Sequence, residues 1–301
     1  MEDKNLKESI ILIGPTCVGK SLVAGELQKK LDLPILSIDD LIHFIDMEQR
    51  GILSPSQKAK EAYLKECIKE VESDKSIPGK HLKAMEIKLL TDYVDLYSYY
   101  CNMVGPLKKF YSIADDYTTS VRSATNSIES IYCYKDYAFK LLEASLQRIN
   151  QPIIIDQPAP IGFKAKKISL LSKIKLNALS QNISPEILDS RIENFLRGAT
   201  TILLEPGLDY NLRNANPSRE NDLLIDGIGS FYDSADLVIS TNGLFNEPEN
   251  KWFQQRTFSC AEEISTKERL KNQSEINNIS DTIIEIWKHK LSNNLDEKDF
   301  T

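Results

Sequence analysis

The sequence has no Cys-x-x-Cys pair. Its five cysteines, Cys17, Cys67, Cys101, Cys133 and Cys260, stand far apart, and only three histidines accompany them. That excludes the ligand spacing of structural zinc, and a dispersed, odd set of thiols is the pattern of a reducing compartment. No apolar run approaches the ~20 residues needed to span a bilayer. The N-terminal MEDKNLKESIILIG places acids ahead of the short run Ile10–Ile13, which is no secretory core. A cytoplasmic protein without membrane partners is the expectation. Positive charge is in deficit: Lys+Arg 37 against Asp+Glu 44 gives −7, so nothing global draws the chain to nucleic acid. Glycine and proline number only 12 each in 301 residues, and 41% of residues are hydrophobic. Such a chain is neither low-complexity nor short of a core. Its length is about two domains' worth, or one domain carrying a large insertion.

The opening thirty residues alternate in character. SIILI at 9–13 is a buried-strand pattern, Gly14–Ser21 a glycine-bearing loop, and Ser21–Leu31 carries apolar residues at helical spacing. Leu33–Ile38 is a second apolar run, ending at Asp39-Asp40. Strand, loop, helix and strand in this order begin an α/β parallel sheet. From about 43 to 150 strand-like runs vanish and long helical periodicity takes over. Nine of the twelve tyrosines fall between Tyr93 and Tyr137. This block reads as an all-helical insertion with an aromatic core, a substrate-binding or lid region; the competing reading is a stacking platform. Strands return at Ile153–Ile155, Thr200–Glu205 and Leu237–Ser240, with a helix at Pro185–Arg197 and a closing amphipathic helix at Ile276–Leu291. The expected division is a core of 1–42 and 151–301 around the insertion 43–150. Residues 163–182 hold five lysines and no acid, and read as a solvated helix face or a phosphate-facing one. Residues 207–230 read as a polar loop.

Gly14-Pro15-Thr16-Cys17-Val18-Gly19-Lys20-Ser21 matches G-x-x-x-x-G-K-[ST] without departure. The glycines let successive backbone N–H groups face phosphate oxygens. Lys20 brings a cation to the β- and γ-phosphates, Ser21 a hydroxyl to Mg²⁺. The helix that follows aims its positive end at the same anion. Strand before and helix after is the context that gives the motif weight. The expected ligands are ATP and Mg²⁺.

Phosphoryl transfer also needs carboxylates and further cations. Asp39 follows the second strand, where the ligand crevice of a doubly wound sheet lies, and is a candidate base or orienter for an acceptor hydroxyl. For Asp39 and Asp40 alike the alternative is helix capping before LIHFI. Asp156 ends an apolar run, and is a candidate metal holder or a turn initiator. Arg213 and Arg219 are candidate cations to close over the phosphates, or plain surface residues. His43, His81 and His289 show no metal spacing.

Taken in order, Ile10–Ser21, Leu36–Asp39, the Asp156 strand, Thr200–Glu205, the loop with Arg213 and Arg219, and the stretch Tyr232–Thr241 resemble shikimate kinase and its relatives among the nucleoside-monophosphate-kinase-like P-loop kinases. The resemblance spans about 45 residues at the start and 140 at the end. It implies a P-loop fold with a five-stranded parallel sheet in the order 2-3-1-4-5, and transfer of a phosphoryl group from ATP to a hydroxyl of a small molecule. It further implies that Asp39 meets that hydroxyl, that Arg213 or Arg219 forms the lid, and that Asn242 packs by the adenine. The chain departs from that family in three places. Ser37 stands where the first acid of D-x-D is found, Gln157–Gly162 replaces a glycine triplet, and the helical block replaces a small acceptor-binding segment. A second resemblance, in G-P-T-x-V-G-K-S followed by I-S-x-D, is to tRNA isopentenyltransferases; it implies prenylation of an adenine amine. The zeta-type toxin kinases share the loop and an acid after the second strand. A nucleotide-regulated binding module, or a toxin-like effector without catalysis, is the third reading.

Overall fold

Four aliphatic side chains in succession, Ile10–Ile13, are buried on both faces and form β1. A run apolar on both sides is what a central parallel strand requires. A computed structural model describes residues 4–14, 19–77, 79–124, 127–157, 161, 163–165, 176–178, 181–205, 228–230, 232–241 and 266–296. Beside β1 lie β2 (Ile35–Ser37), β3 (Ile154–Asp156), β4 (Thr200–Glu205) and β5 (Leu237–Ser240). All pairs are parallel and the spatial order is β2-β3-β1-β4-β5, the order expected from the resemblance. The register sets Leu12 and Ser37 both opposite Asp156. Strand ends carrying the loop, the second-strand acids and Asp156 therefore come level at one edge of the sheet.

Helices cover both faces. Ile10, Leu12, Ile154, Ile202 and Leu204 point to one side, against α2 (Lys20–Leu31) and the long C-terminal α9 (Thr266–Asp296). The pair Lys30–Asp281, 2.8 Å apart, and the indole N–H of Trp287 donating to Glu8 O tie that layer together. Ile11, Ile13, Leu36, Ile153, Ile155 and Leu203 point to the other side, into a core shared with the helical block. That block comprises α3 (Ile38–Gln49), α4 (Gln57–Ser73), α5 (Gly79–Val104), α6 (Tyr111–Ser123) and α7 (Ser127–Leu146). With α8 (Pro185–Arg197) they form the second layer. Tyr97, Tyr100, Phe44 and Phe110 are buried among the sheet's own isoleucines, so sheet and block share one core.

Strand β2 lies at the edge of the sheet, where backbone groups lack a neighbouring strand. Two tyrosines of α5 take that place. Ile35 N–H donates to the Tyr99 hydroxyl (2.8 Å), which donates to Ile35 O (3.0 Å), and Ser37 N–H donates to the Tyr100 hydroxyl (3.0 Å). The helical block thus closes an open sheet edge by side chains.

The structure differs from the sequence expectations in three places. Helix α3 starts at Ile38 and is capped by the Ser37 side chain, so Asp39 and Asp40 are not its caps but lie in its first turn. Of the basic stretch 163–182, the residues described are strand and not helix: Phe163–Ala165 pairs with Ile228–Ser230, and Leu176–Ala178 with Gln181–Ile183. Of the five lysines of that stretch only Lys164 is among the described residues, so the helix-face reading of the rest lies outside them. Helix α9 begins at Thr266, ahead of Ile276, because its polar first turns extend beyond the apolar stripe. Among the described residues no helix is long and apolar enough to cross a membrane.

Lys135 of α7, 1% exposed, pairs with Asp189 of α8, whose other oxygen accepts from the Tyr132 hydroxyl at 2.9 Å. Removing one member of a buried pair strands the other charge. Lys135→Ala is expected to lower unfolding free energy by about 3 kcal/mol, read by urea denaturation, and Lys135→Met with Asp189→Leu to recover most of it. Equal stability of Lys135→Ala and the parent would show that the pair contributes nothing.

Candidate functional site

The chain leaves β1 at Gly14, whose φ is 146°, and enters α2 through Gly19, with φ of 95°. Both values favour glycine, so both motif glycines meet a backbone demand. Pro15, Thr16, Cys17 and Val18 lie outside the described residues. Lys20, 8% exposed, sends its ammonium back to Gly14 O at 3.0 Å, spanning the mouth of the loop. Ser21 opens α2 and donates its hydroxyl to Asp156 Oδ2 at 2.7 Å, a contact between residues 135 apart in sequence.

Asp156 ends β3 and is 7% exposed. Burial pushes its carboxyl above the ordinary value. The Lys20 charge and the Ser21 hydrogen bond pull against that rise, and the charges of Asp39 and Asp40 add to it. These acids are therefore one electrostatic group at the carboxyl edge of the sheet, the place where doubly wound sheets bind ligands.

Asp39 accepts from the Tyr134 hydroxyl at 2.7 Å through Oδ1. Burial, then the Asp39 charge, then that hydrogen bond hold Tyr134 well above its ordinary pKa, so it stays protonated and donates. Asp40 faces the other way. Its backbone N–H donates to Ser37 Oγ at 3.3 Å, and its Oδ2 accepts from Tyr100 at 3.3 Å. Burial raises the Asp40 carboxyl, against hydrogen bonds from Ser37 and Tyr100. Ser37, standing where an acid of D-x-D was expected from the resemblance, is the α3 cap. Beyond Asp39 stands a ring cluster: Tyr117 lies stacked on Tyr137 at 4.5 Å, and its centroid is 6.0 Å from that of Tyr134.

The structure thus brings together Gly14, Gly19, Lys20, Ser21, Asp39 and Asp156 of the residues singled out in the sequence. Arg213, Arg219 and Asn242 lie outside the described residues. Sequence reasoning missed Tyr134 and Tyr100, whose only signal was tyrosine enrichment in the helical block. It singled out Gln157 only as the start of the segment that replaces a glycine triplet of the resembled family, with no sign that its side chain is buried directly beyond Asp156. A separate cleft of about 410 Å³ on the helical block, lined in part by Glu48, Lys60, Cys101 and Lys108, shares none of these residues.

Among the described residues no group of three or more His, Cys, Asp or Glu side chains is gathered as a metal site. The hydroxyl of Ser21 and the carboxylate of Asp156 nonetheless fit Mg²⁺. Both are hard oxygen donors, and this ion takes few protein ligands, keeping waters and phosphate oxygens for the rest of its shell. Compared with protein-family models, with curated proteins and with solved structures, the chain finds no match in any of the three.

The raised Asp156 carboxyl has a sign in stability. Between its ordinary and its raised pKa the folded chain binds more protons than the unfolded one, so ionised Asp156 destabilises the fold and stability returns as pH falls through the raised value. Asp156→Asn is therefore expected to raise the Tm at neutral pH, with the gain narrowing in mild acid. Added Mg²⁺ and ATP should raise the Tm of the parent more than that of the variant. A variant less stable than the parent at neutral pH would show that ionised Asp156 stabilises the fold.

Proposed function

We propose that the chain is an ATP- and Mg²⁺-dependent phosphotransferase acting on a hydroxyl of a small molecule, built on a P-loop fold. The observation that carries this reading is the Ser21–Asp156 hydrogen bond at 2.7 Å. It joins the last residue of the phosphate-loop motif to the acid at the end of β3, with Lys20 acting on the same carboxylate. A loop motif alone is a common sequence. A loop serine meeting a buried strand-end carboxylate is the arrangement that holds a cation beside phosphates.

Each residue then has a task. Loop amides and Lys20 hold the β- and γ-phosphates, Lys20 exchanging its Gly14 carbonyl for phosphate oxygen. Ser21 and Asp156 would hold Mg²⁺, which when bound neutralises phosphate charge. Asp39 orients the acceptor hydroxyl and takes its proton as the acceptor oxygen bonds to the γ-phosphorus and the bond to the ADP oxygen breaks. Tyr134 donates to Oδ1 of Asp39, fixing the carboxylate so that Oδ2 serves the acceptor. Arg213 or Arg219 is proposed to cover the transferring group and Asn242 to lie by the adenine. Closure over the site limits transfer to water.

The test is a product assay. The protein is incubated with Mg·ATP and a pool of cytosolic metabolites, shikimate included, and ADP release and acceptor mass gain are followed by mass spectrometry. A metabolite gaining one phosphoryl group with matching ADP is expected. Lys20→Ala should lower the rate by about 100-fold or more, and Asp39→Asn by about 10²–10⁴-fold with nucleotide still bound. Unchanged turnover in Lys20→Ala would overturn the assignment. Diphosphate release from dimethylallyl diphosphate and an adenine nucleotide, without ADP, would establish the prenyl-transfer reading instead.

A further inference from the structure

The side chain of Gln157 is fully buried, and neither its amide nitrogen nor its amide oxygen has a hydrogen-bond partner among the described residues. Buried polar groups are nearly always satisfied, and one orphaned at both ends calls for a reason. Its position supplies one. The Gln157 N–H donates to Leu12 O at 3.2 Å, so the strand pairing runs on past Asp156. Successive residues of a strand face opposite sides. Asp156 shares the side of Ile154, where Ser21 meets it. Gln157 shares the side of Ile153 and Ile155, which is the side of the helical block. Asp156 stands opposite Ser37, so Gln157 lies one step further along, level with the first turn of α3 that carries Asp39. On the same side are Tyr134, hydrogen-bonded to Asp39, and the Tyr117–Tyr137 stack.

Resting on the phosphotransferase reading, we propose that Gln157 is the recognition residue of the acceptor site. A carboxamide presents one donor beside one acceptor. Its complement is an edge with N–H beside C=O or beside a ring nitrogen. The acceptor is therefore a hydroxyl compound bearing an amide-type edge, and the tyrosine rings on the same side of the sheet favour that edge on a flat heterocycle, as in a nucleoside. Gln157 is covered in this structure, so acceptor entry includes an opening at this edge of the sheet. A site built around a hydrogen-bonding side chain rejects ligands that leave it unpaired.

The experiment compares adenosine, cytidine, uridine and guanosine with shikimate and glycerol. Each is assayed for phosphoryl transfer from Mg·ATP and, separately, for equilibrium binding by calorimetry without ATP. At least one nucleoside is expected to bind and to be phosphorylated. Gln157→Leu should weaken its binding and raise its KM by about 10- to 100-fold, leave Mg·ATP binding unchanged, and leave the Tm equal or higher because two orphaned polar atoms are gone. Gln157→Glu keeps the shape without the donor, should lose nucleoside binding likewise, and serves if the leucine variant does not fold. Nucleoside binding that depends on Gln157 without transfer would overturn the phosphotransferase reading and leave the recognition role. Transfer confined to shikimate or glycerol, no nucleoside binding, or a nucleoside KM unchanged in both variants would overturn the role of Gln157. A lower Tm with unchanged KM would show a structural amide satisfied by water, and overturn it too.

Discussion

The constraint on which the rest of this molecule depends is the burial of a carboxylate, Asp156, at the carboxyl edge of a parallel sheet. Taking an ionised group out of water costs several kcal/mol unless charges and hydrogen bonds replace the solvent. Here Lys20 and Ser21 supply part of that replacement, and Asp39 and Asp40 work against it. The edge is thus left with negative charge in excess of what Lys20 offsets. A small hard dication is the chemical complement of that excess. A triphosphate brings further negative charge, so the two ligands suit the edge together better than the nucleotide alone. The strained balance and the proposed function are one feature.

Helical packing explains how the other acids are kept in place. Strand β2 is at the sheet edge, and the Tyr99 and Tyr100 hydroxyls satisfy its backbone where a sixth strand would otherwise sit. The Tyr100 hydroxyl accepts from Ser37 N–H and also donates to Asp40, so one side chain couples the strand edge to the first turn of α3. Tyr134 from α7 holds Asp39. The helical block is therefore part of the site's construction. Its tyrosines carry their hydroxyls to the acids while their rings fill the core beneath, the division of labour that an amphipathic aromatic permits.

Much of this was legible in the residues. Gly14, Gly19, Lys20 and Ser21 declare the loop because each fills a local backbone or charge requirement within eight positions. Asp156 was legible because three isoleucines precede it, and Asp39 because it follows a short apolar run. The strand order came from the resemblance and not from periodicity, since strands of three to six residues carry no information on their neighbours. Tyr134 and Gln157 were hidden for different reasons. The Tyr134–Asp39 contact joins residues 95 apart, and nothing in α7 distinguishes that tyrosine from the others that only pack. Gln157 is named in the sequence only as opening the segment that replaces a glycine triplet, and its burial and lack of partners among the described residues show only in the fold. Of the stretch 163–182 the described residues are short strands, and all its lysines but Lys164 lie outside the described residues. The arginines, Asn242 and the inner residues of the loop lie outside the described residues.

Chemistry and selectivity are joined in this arrangement. The acid proposed to meet the acceptor is gripped by a tyrosine from the helical block, and the amide proposed to recognise it faces the same block. A phosphotransferase must align its acceptor oxygen to within a fraction of an ångström, and small displacements of the orienting carboxylate cost large factors in rate. If binding the acceptor shifts α7 against the sheet, Tyr134 moves with it, and Asp39 is aligned only when the pocket is filled. Water, which cannot engage Gln157 and the tyrosine rings together, does not supply that alignment. Under the proposed function the long helical block, with no motif of its own, would make the placement of the base conditional on the shape of the acceptor.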